Sequence, residues 1–373
     1  MKFRSILLFV LLTIPFFAYS QFQLDGEASA SYNGKMIYLY AHSNDIRDKP
    51  VLKDSTVVRK RSFSFSGNMS EPVSRASLGI KNGKKMRMVG LFLEKGINRV
   101  IVTAEEGPQV FRLKMPGSEA FPLIDKLHAV EREAFSRYRR NHIVRGDLRL
   151  PEAEQREAHL EMLEVLKAHP ANYASLLMLY ESSQYGSLLN EEEQILATLN
   201  SFHPEIKSSE LAAELRAKTE HSLHIRKRTQ PSNKVSVFEV KTMQGTKFSN
   251  ADLAGSPYII AFSASWSQDA LRFLPALQAV YDRHKGADLK VVYFNLDSNA
   301  IRWQGMVERY KMNWINVSEG STLRESSIAK QFYVTDIPVY LVVDRSGMIV
   351  FNSSFSDDPA AEFEKAVANA AGR

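Results

Sequence analysis

Tyr258-Ile-Ile-Ala-Phe-Ser-Ala-Ser-Trp266-Ser267-Gln268-Asp269-Ala270-Leu-Arg-Phe-Leu-Pro275 is the stretch that decides the fold of this chain. Its first part is an apolar run of strand length, and its second part reads as a helix over 268–284. Ser267 stands where a helix N-cap belongs, with a side-chain oxygen that can accept from a free backbone N–H. Asp269 falls in the first turn, where a carboxylate complements the helix dipole.

The pattern around this stretch alternates strand and helix from Pro231 to the end. A hairpin, 235–240 with 245–248, precedes the strand 257–263. After the helix come a strand over 289–296, a helix around 299–310 and a short helix near 323–332. Strands over 338–343 and 348–352 and a helix over 358–371 close the chain. Strand, helix, strand, helix, antiparallel pair and final helix is the element order of a thioredoxin fold with an insertion.

Several spaced phrases add to that order. They are Phe248-Ser-Asn-Ala-Asp-Leu-Ala-Gly255, Trp266 before the turn, Phe332-Tyr-Val-Thr-Asp-Ile337-Pro338, and Val342-Val-Asp-Arg-Ser-Gly347. Together they resemble the thioredoxin-like domains of the TlpA and ResA kind. The resemblance implies a cis-proline at Pro338 and two active-site cysteines at the positions of Ser267 and Ala270. The chain contains no cysteine. Ala261 occupies the place where thioredoxins proper keep a buried carboxylate.

Upstream, the residues from Phe22 to about Met115 alternate in short apolar runs near 36–40, 62–66, 75–80, 88–93 and 99–103. Turn-prone pairs such as Asn33-Gly34 and Lys95-Gly96 separate them. That spacing predicts an all-β sandwich-like domain or small barrel. Leu52-Lys-Asp-Ser-Thr-Val-Val58, Phe63-Ser-Phe-Ser-Gly67 and Glu71-Pro72 resemble a β-rich accessory domain of unknown function found ahead of TlpA-like domains in Gram-negative bacteria. From about Ser118 to Gln230 the period becomes helical, with helices expected near 119–140, 151–168, 170–182, 190–200 and 208–227. Pro151 and Pro170 are read as first-turn prolines, and Glu191 to Glu193 as first-turn acids. His169-Pro-Ala-Asn-Tyr-Ala-Ser-Leu176 resembles the helical connector of the same proteins. The expected division is 21–117, 118–230 and 231–373.

Residues 1–20 read as a signal peptide, with Lys2 and Arg4, an apolar run from Ile6 to Phe17, and the small residues Ala18 and Ser20 before the cut. Export to the periplasm or envelope of a Gram-negative bacterium follows, with no membrane span and, lacking cysteine, no lipobox. An oxidising compartment permits disulfides, so their absence there is informative. Without a thiolate there is no thiol–disulfide exchange. Removing Lys2 and Arg4 lowers the formal charge from +6 to +4. The basic clusters are short, and solvated faces explain them better than an anionic partner or nucleic acid.

Candidate chemistry is sparse. An alcohol at position 267 needs an adjacent base to act as a nucleophile. No histidine lies nearby in sequence, although His284 or a more distant residue is left open, and the N-cap role is favoured. Ala270 can neither resolve a covalent intermediate nor bind a metal. Asp269 has no evident carboxylate partner. Pro338 either shapes the fold or preserves an edge that pairs with an extended peptide. The candidate groove is then Trp266, Ser267, Gln268, Asp269, Ile337 and Pro338. His221 and His224 share a helix face without a third ligand, and Trp303 and Trp314 read as core. Asn68, Asn316 and Asn352 begin short glycosylation patterns of high chance frequency.

The expected function is a redox-inactive, TlpA-like exported protein that binds a polypeptide or an envelope protein, with no cofactor. Two alternatives are a non-thiol or accessory role in a thiol–disulfide or AhpC/TSA-type peroxiredoxin pathway, and a structural spacer whose β-domain does the binding.

Overall fold

The computed structural model describes residues 21–45, 48–82, 85–104, 111–141, 150–184, 188, 190–356 and 358–372. The signal-peptide expectation therefore lies outside the described residues. The chain divides into two compact units, Met1–Leu188 with Gln194–Leu215, and Leu189–Glu193 with Arg216–Arg373.

The first unit begins with strands β1 (Gln21–Ala28), β2 (Met36–Ala41), β3 (Val51–Val57), β4 (Ser62–Asn68), β5 (Val73–Asn82), β6 (Lys85–Glu94), β7 (Gly96–Ala104) and β8 (Phe111–Lys114). They form two four-stranded sheets, ordered β4-β1-β7-β8 and β3-β2-β5-β6. Leu24, Phe65 and Val102 of the first sheet share one buried cluster with Ile37, Leu78 and Leu91 of the second, as a sandwich requires. Strand β1 was not anticipated. It alternates correctly, burying Phe22, Leu24, Gly26 and Ala28, but two of those inward positions are too small to carry a strong apolar period. Gly26 is small for a reason: it pairs with Phe63, and a Cβ there would sit 2.0 Å from the Phe63 ring.

Helices follow as α1 (Ala120–Asn141), α2 (Glu152–Lys167), α3 (Tyr173–Ser182), α4 (Glu192–Ser201), α5 (Pro204–Lys207) and α6 (Glu210–Arg228), of which Glu192 and Glu193 of α4 and α6 from Arg216 onward belong to the second unit. Leu123, Leu127, Leu163, Leu166, Leu176 and Leu199 build their common core. Pro170 is not in a first turn. Asn172 caps α3 by accepting from the Ala174 N–H, so the helix starts after it. Pro151 is itself the N-cap residue of α2.

The second unit carries β9 (Glu239–Thr242), β10 (Lys247–Ser249), β11 (Tyr258–Ser263), β12 (Lys290–Asn295), β13 (Ile315–Ser318), β14 (Val339–Val343) and β15 (Ile349–Asn352). With them come α7 (Gln268–His284), α8 (Ala300–Arg309), α9 (Ser327–Gln331) and α10 (Pro359–Gly372). The strands make one sheet in the order β10-β9-β13-β12-β11-β14-β15. β11 is parallel to β12 and antiparallel to β14, and every residue of β11 is buried, as a central strand covered on both faces must be. One face buries Phe238, Phe262, Phe294 and Phe332. The other buries Ile259, Leu277, Val291, Phe363 and Val367, and Trp303 and Trp314 pack against it as core residues. Strand β13 was not foreseen. It is four residues long and half polar, which is too short for a period-2 signal. Asn316 and Asn352, each opening a glycosylation pattern, are buried in this sheet and are no acceptor sites. No helix among the described residues is long and apolar enough to cross a membrane.

Candidate functional site

The site forms where β11 runs out at Ser263 and the chain turns into α7. Ser267 has extended backbone angles, φ −83° and ψ 110°, and its Oγ accepts from the Ala270 N–H at 3.3 Å. The same hydroxyl donates to the Ile337 carbonyl at 3.3 Å. It is 7% exposed, so a buried hydroxyl is committed on both its accepting and donating sides. No base is within reach through His284, which ends the 17-residue α7, about 25 Å along the helix axis from its start. His284 therefore offers Ser267 no base, and the serine caps α7.

Ala270 is fully buried. Gln268 and Asp269 are exposed, and Asp269 pairs with Arg272 at 3.0 Å on the helix surface. Trp266 is 53% exposed, a large apolar side chain left in water beside the cap. On the facing loop the Ile337–Pro338 bond is cis. Ile337 is buried, and its N–H is taken by Oδ1 of its neighbour Asp336 at 2.8 Å. Both backbone polar groups of Ile337 therefore have partners within the chain.

Asp297 is a residue that the sequence reading did not single out. It is 4% exposed and lies just past β12. It accepts from the Ser265 N–H at 3.0 Å, the Ser265 hydroxyl at 2.9 Å and the Asn295 amide at 2.8 Å. A buried carboxylate needs such donors, and these tie the loop before Trp266 to the end of the neighbouring strand. The signal that could have found it is positional, since open α/β sheets build their sites beyond the carboxyl ends of their strands.

At Ala261 no acid is present. The residue sits between Tyr293 and Tyr340 of the flanking strands, and burial pushes both phenols up from their ordinary range. The Tyr293 hydroxyl donates to Ser263 at 2.6 Å.

The loop that ends in Pro338 is anchored at Tyr333, a non-glycine residue at φ +55°. Its hydroxyl donates to the buried carboxylate of Glu192, and burial followed by that contact raises the phenol's pKa. Glu192 also accepts from Ser222 at 3.0 Å. Arg226 Nε lies 2.8 Å from Glu192 Oε2 but off the N–H direction, so the two attract as charges without an aligned hydrogen bond.

Among the described residues no group of three or more histidine or acidic side chains is gathered. His221 and His224 are exposed.

Residues 255–349 match the family model described as thioredoxin-like. Residues 22–120 match a domain of unknown function, DUF4369. No curated protein matches the chain. Solved structures similar to it include the thioredoxin domain of a thiol-disulfide oxidoreductase from Bacteroides vulgatus (19% identity, TM-score 0.33, covering 37% of this chain and 98% of that one). A thiol-disulfide oxidoreductase from Bacteroides fragilis is similar at 17% identity and TM-score 0.33, over 36% of this chain and 98% of that one. A secreted disulfide oxidoreductase from Mycobacterium tuberculosis is similar at 20% identity and TM-score 0.31, over 38% and 98%. The chain thus joins a thioredoxin-like domain to a domain with no assigned function, and it has no cysteine with which to exchange disulfides.

Proposed function

We propose that this is an exported thioredoxin-like protein that holds a polypeptide or protein partner and carries out no thiol chemistry, with Ser267 and Ala270 as the counterparts of a lost cysteine pair. The observation that carries this reading is the state of Ser267. Its hydroxyl closes the helix start and bonds the Ile337 carbonyl, so the position serves the frame, while Trp266 beside it stays open to solvent. A half-exposed tryptophan on a rigid loop is the kind of anchor on which binding energy concentrates. Contact through Trp266, Gln268 and Asp269 needs no rearrangement. Strand-type pairing at Ile337 needs Asp336 to release the N–H it now holds, so side-chain docking is favoured over strand addition. Export rests on the pattern of residues 1–20, and the working division remains 21–117, 118–230 and 231–373.

Fluorescence anisotropy with a labelled unfolded polypeptide of blocked thiols, such as carboxymethylated α-lactalbumin, tests this. Saturable binding that Trp266→Ala weakens about tenfold or more is expected. Equal binding by wild type and variant would refute the reading.

A further inference from the structure

The sheet β3-β2-β5-β6 has a second face. Ala76, Leu78 and Ile80 of β5 and Leu91 and Leu93 of β6 point into the sandwich core. Val73 and Phe92 point the other way, into the helical core of the same unit. Beyond them on that outer face come Arg75, Ser77 and Gly90, with Ser77 directly opposite Gly90 in the register. Helical cover stops short here, and a cavity of about 770 Å³ opens between this face, α1, α3 and β8. That size lies within the range of small-molecule sites.

Its floor is polar and sunken. Arg75 pairs with Glu181 at 3.3 Å, their side chains only 21% and 12% exposed. The Arg75 contact uses Nη2, and a guanidinium has five N–H donors in a planar fork that matches a carboxylate. The buried Ser77 hydroxyl sits 2.7 Å from His42 Nε2. Around this floor the lining is apolar through Phe92, Phe121, Ile124 and Met178, and cationic at the rim through Arg112, Lys114 and Arg132. Counting Arg75, four cations face two carboxylates, Asp125 and Glu181.

Gly90 is the independent observation. Glycine within a strand weakens it, and here the backbone does not ask for it, since its φ is not in the left-handed region. Packing does not ask for it either, because a Cβ would meet nothing within 4 Å. A strand glycine often marks a bulge, a bend or a close approach by a ligand or another backbone, and the unbroken register of β5 with β6 at Gly90 leaves no bulge there.

We propose that this cavity binds a carboxylate carried on an apolar body, with Arg75 and Ser77 taking the carboxylate, Gly90 leaving room for it, and Ile124 and Met178 covering the apolar part. Isothermal titration of the full chain with monomeric dodecanoate, against dodecanol and acetate, tests it. Dodecanoate binds saturably, and both controls bind at least about tenfold more weakly. Gly90→Leu fills the open space without touching a charge and weakens dodecanoate about tenfold or more at unchanged melting temperature. Arg75→Lys keeps a cation for Glu181 but loses the fork, and weakens dodecanoate several-fold. No saturable binding below about 1 mM, equal affinity for dodecanol, or Gly90→Leu binding as the wild type does would overturn the proposal.

Discussion

Replacing Ser267 with alanine removes one oxygen and two contacts. The first is the cap on α7, whose loss costs about 0.5–2 kcal/mol at typical helix starts. The second is the hydrogen bond to the Ile337 carbonyl, worth about 0.5–1.5 kcal/mol net. Both are 3.3 Å long, beyond the common distances of about 2.9–3.0 Å for N–H···O and about 2.7–2.8 Å for O–H···O, so the lower half of each range applies and the expected total is about 1–2 kcal/mol. For a unit of this size each kcal/mol moves the melting temperature by about 2–4 °C, which gives a drop of about 2–8 °C. Ser267→Gly separates the two contributions. Glycine at an N-cap costs only a few tenths of a kcal/mol, so this variant shows mainly the carbonyl loss, about 0.5–1 kcal/mol. The assay is thermal unfolding followed by tryptophan fluorescence. All three tryptophans, Trp266, Trp303 and Trp314, lie in the second unit, so the transition reports that unit alone. Ser267→Ala melting with the wild type, or Ser267→Gly proving less stable than Ser267→Ala, would refute the assigned cap.

Tyr333→Phe deletes the hydrogen bond that the buried Glu192 carboxylate receives. Bonds to charged groups are worth about 1.5–3 kcal/mol, and a loss of that order is expected in the same tryptophan-detected transition; an unchanged midpoint would show that Ser222 and Arg226 satisfy Glu192 alone. The first unit has its own pH response. Burial, aided at His42 by Arg75, holds the imidazoles of His42 and His159 below their ordinary 6.5. As pH falls through about 6.5 the unfolded chain takes protons first, so the first unit loses stability from there downward until the folded-state histidines protonate, and keeps it in full above. Circular dichroism melts at pH 7.5 and 5.5, with His42→Gln and His159→Gln flattening the difference, check this; a first unit more stable at the lower pH contradicts it.

The local grammar of the second unit was legible. Helix α7 runs over the span expected for it, because Ser267 supplies the cap that starts the helix. The apolar run of β11 announced a central strand. What was not legible depends on partners far apart in the chain. Tyr333 and Glu192 meet across about 140 residues, and nothing local marks either as buried polar partners. Asp297 reads as an ordinary residue after a strand until Ser265 and Asn295 are brought to it. Arg75 and Ser77 look like the solvated side of an alternating strand, and only the packing of α1 and α3 turns that side into a cavity floor. Short strands such as β13 fall below the length at which alternation can be counted.

The proposal that Ser267 and Ala270 are the counterparts of a cysteine pair is put to the test by Ser267→Cys with Ala270→Cys. Closing a four-residue loop contributes about 2 kcal/mol in the chain-entropy view, enough to offset the lost serine contacts, and the helix N-terminus lowers the pKa of a thiol placed there. In dithiothreitol-dependent insulin reduction, the wild type should give no turnover and the double variant clear turnover, with a 267–270 disulfide in its oxidised peptide map. Wild-type turnover above background, or a folded double variant that forms no 267–270 bridge, would contradict it.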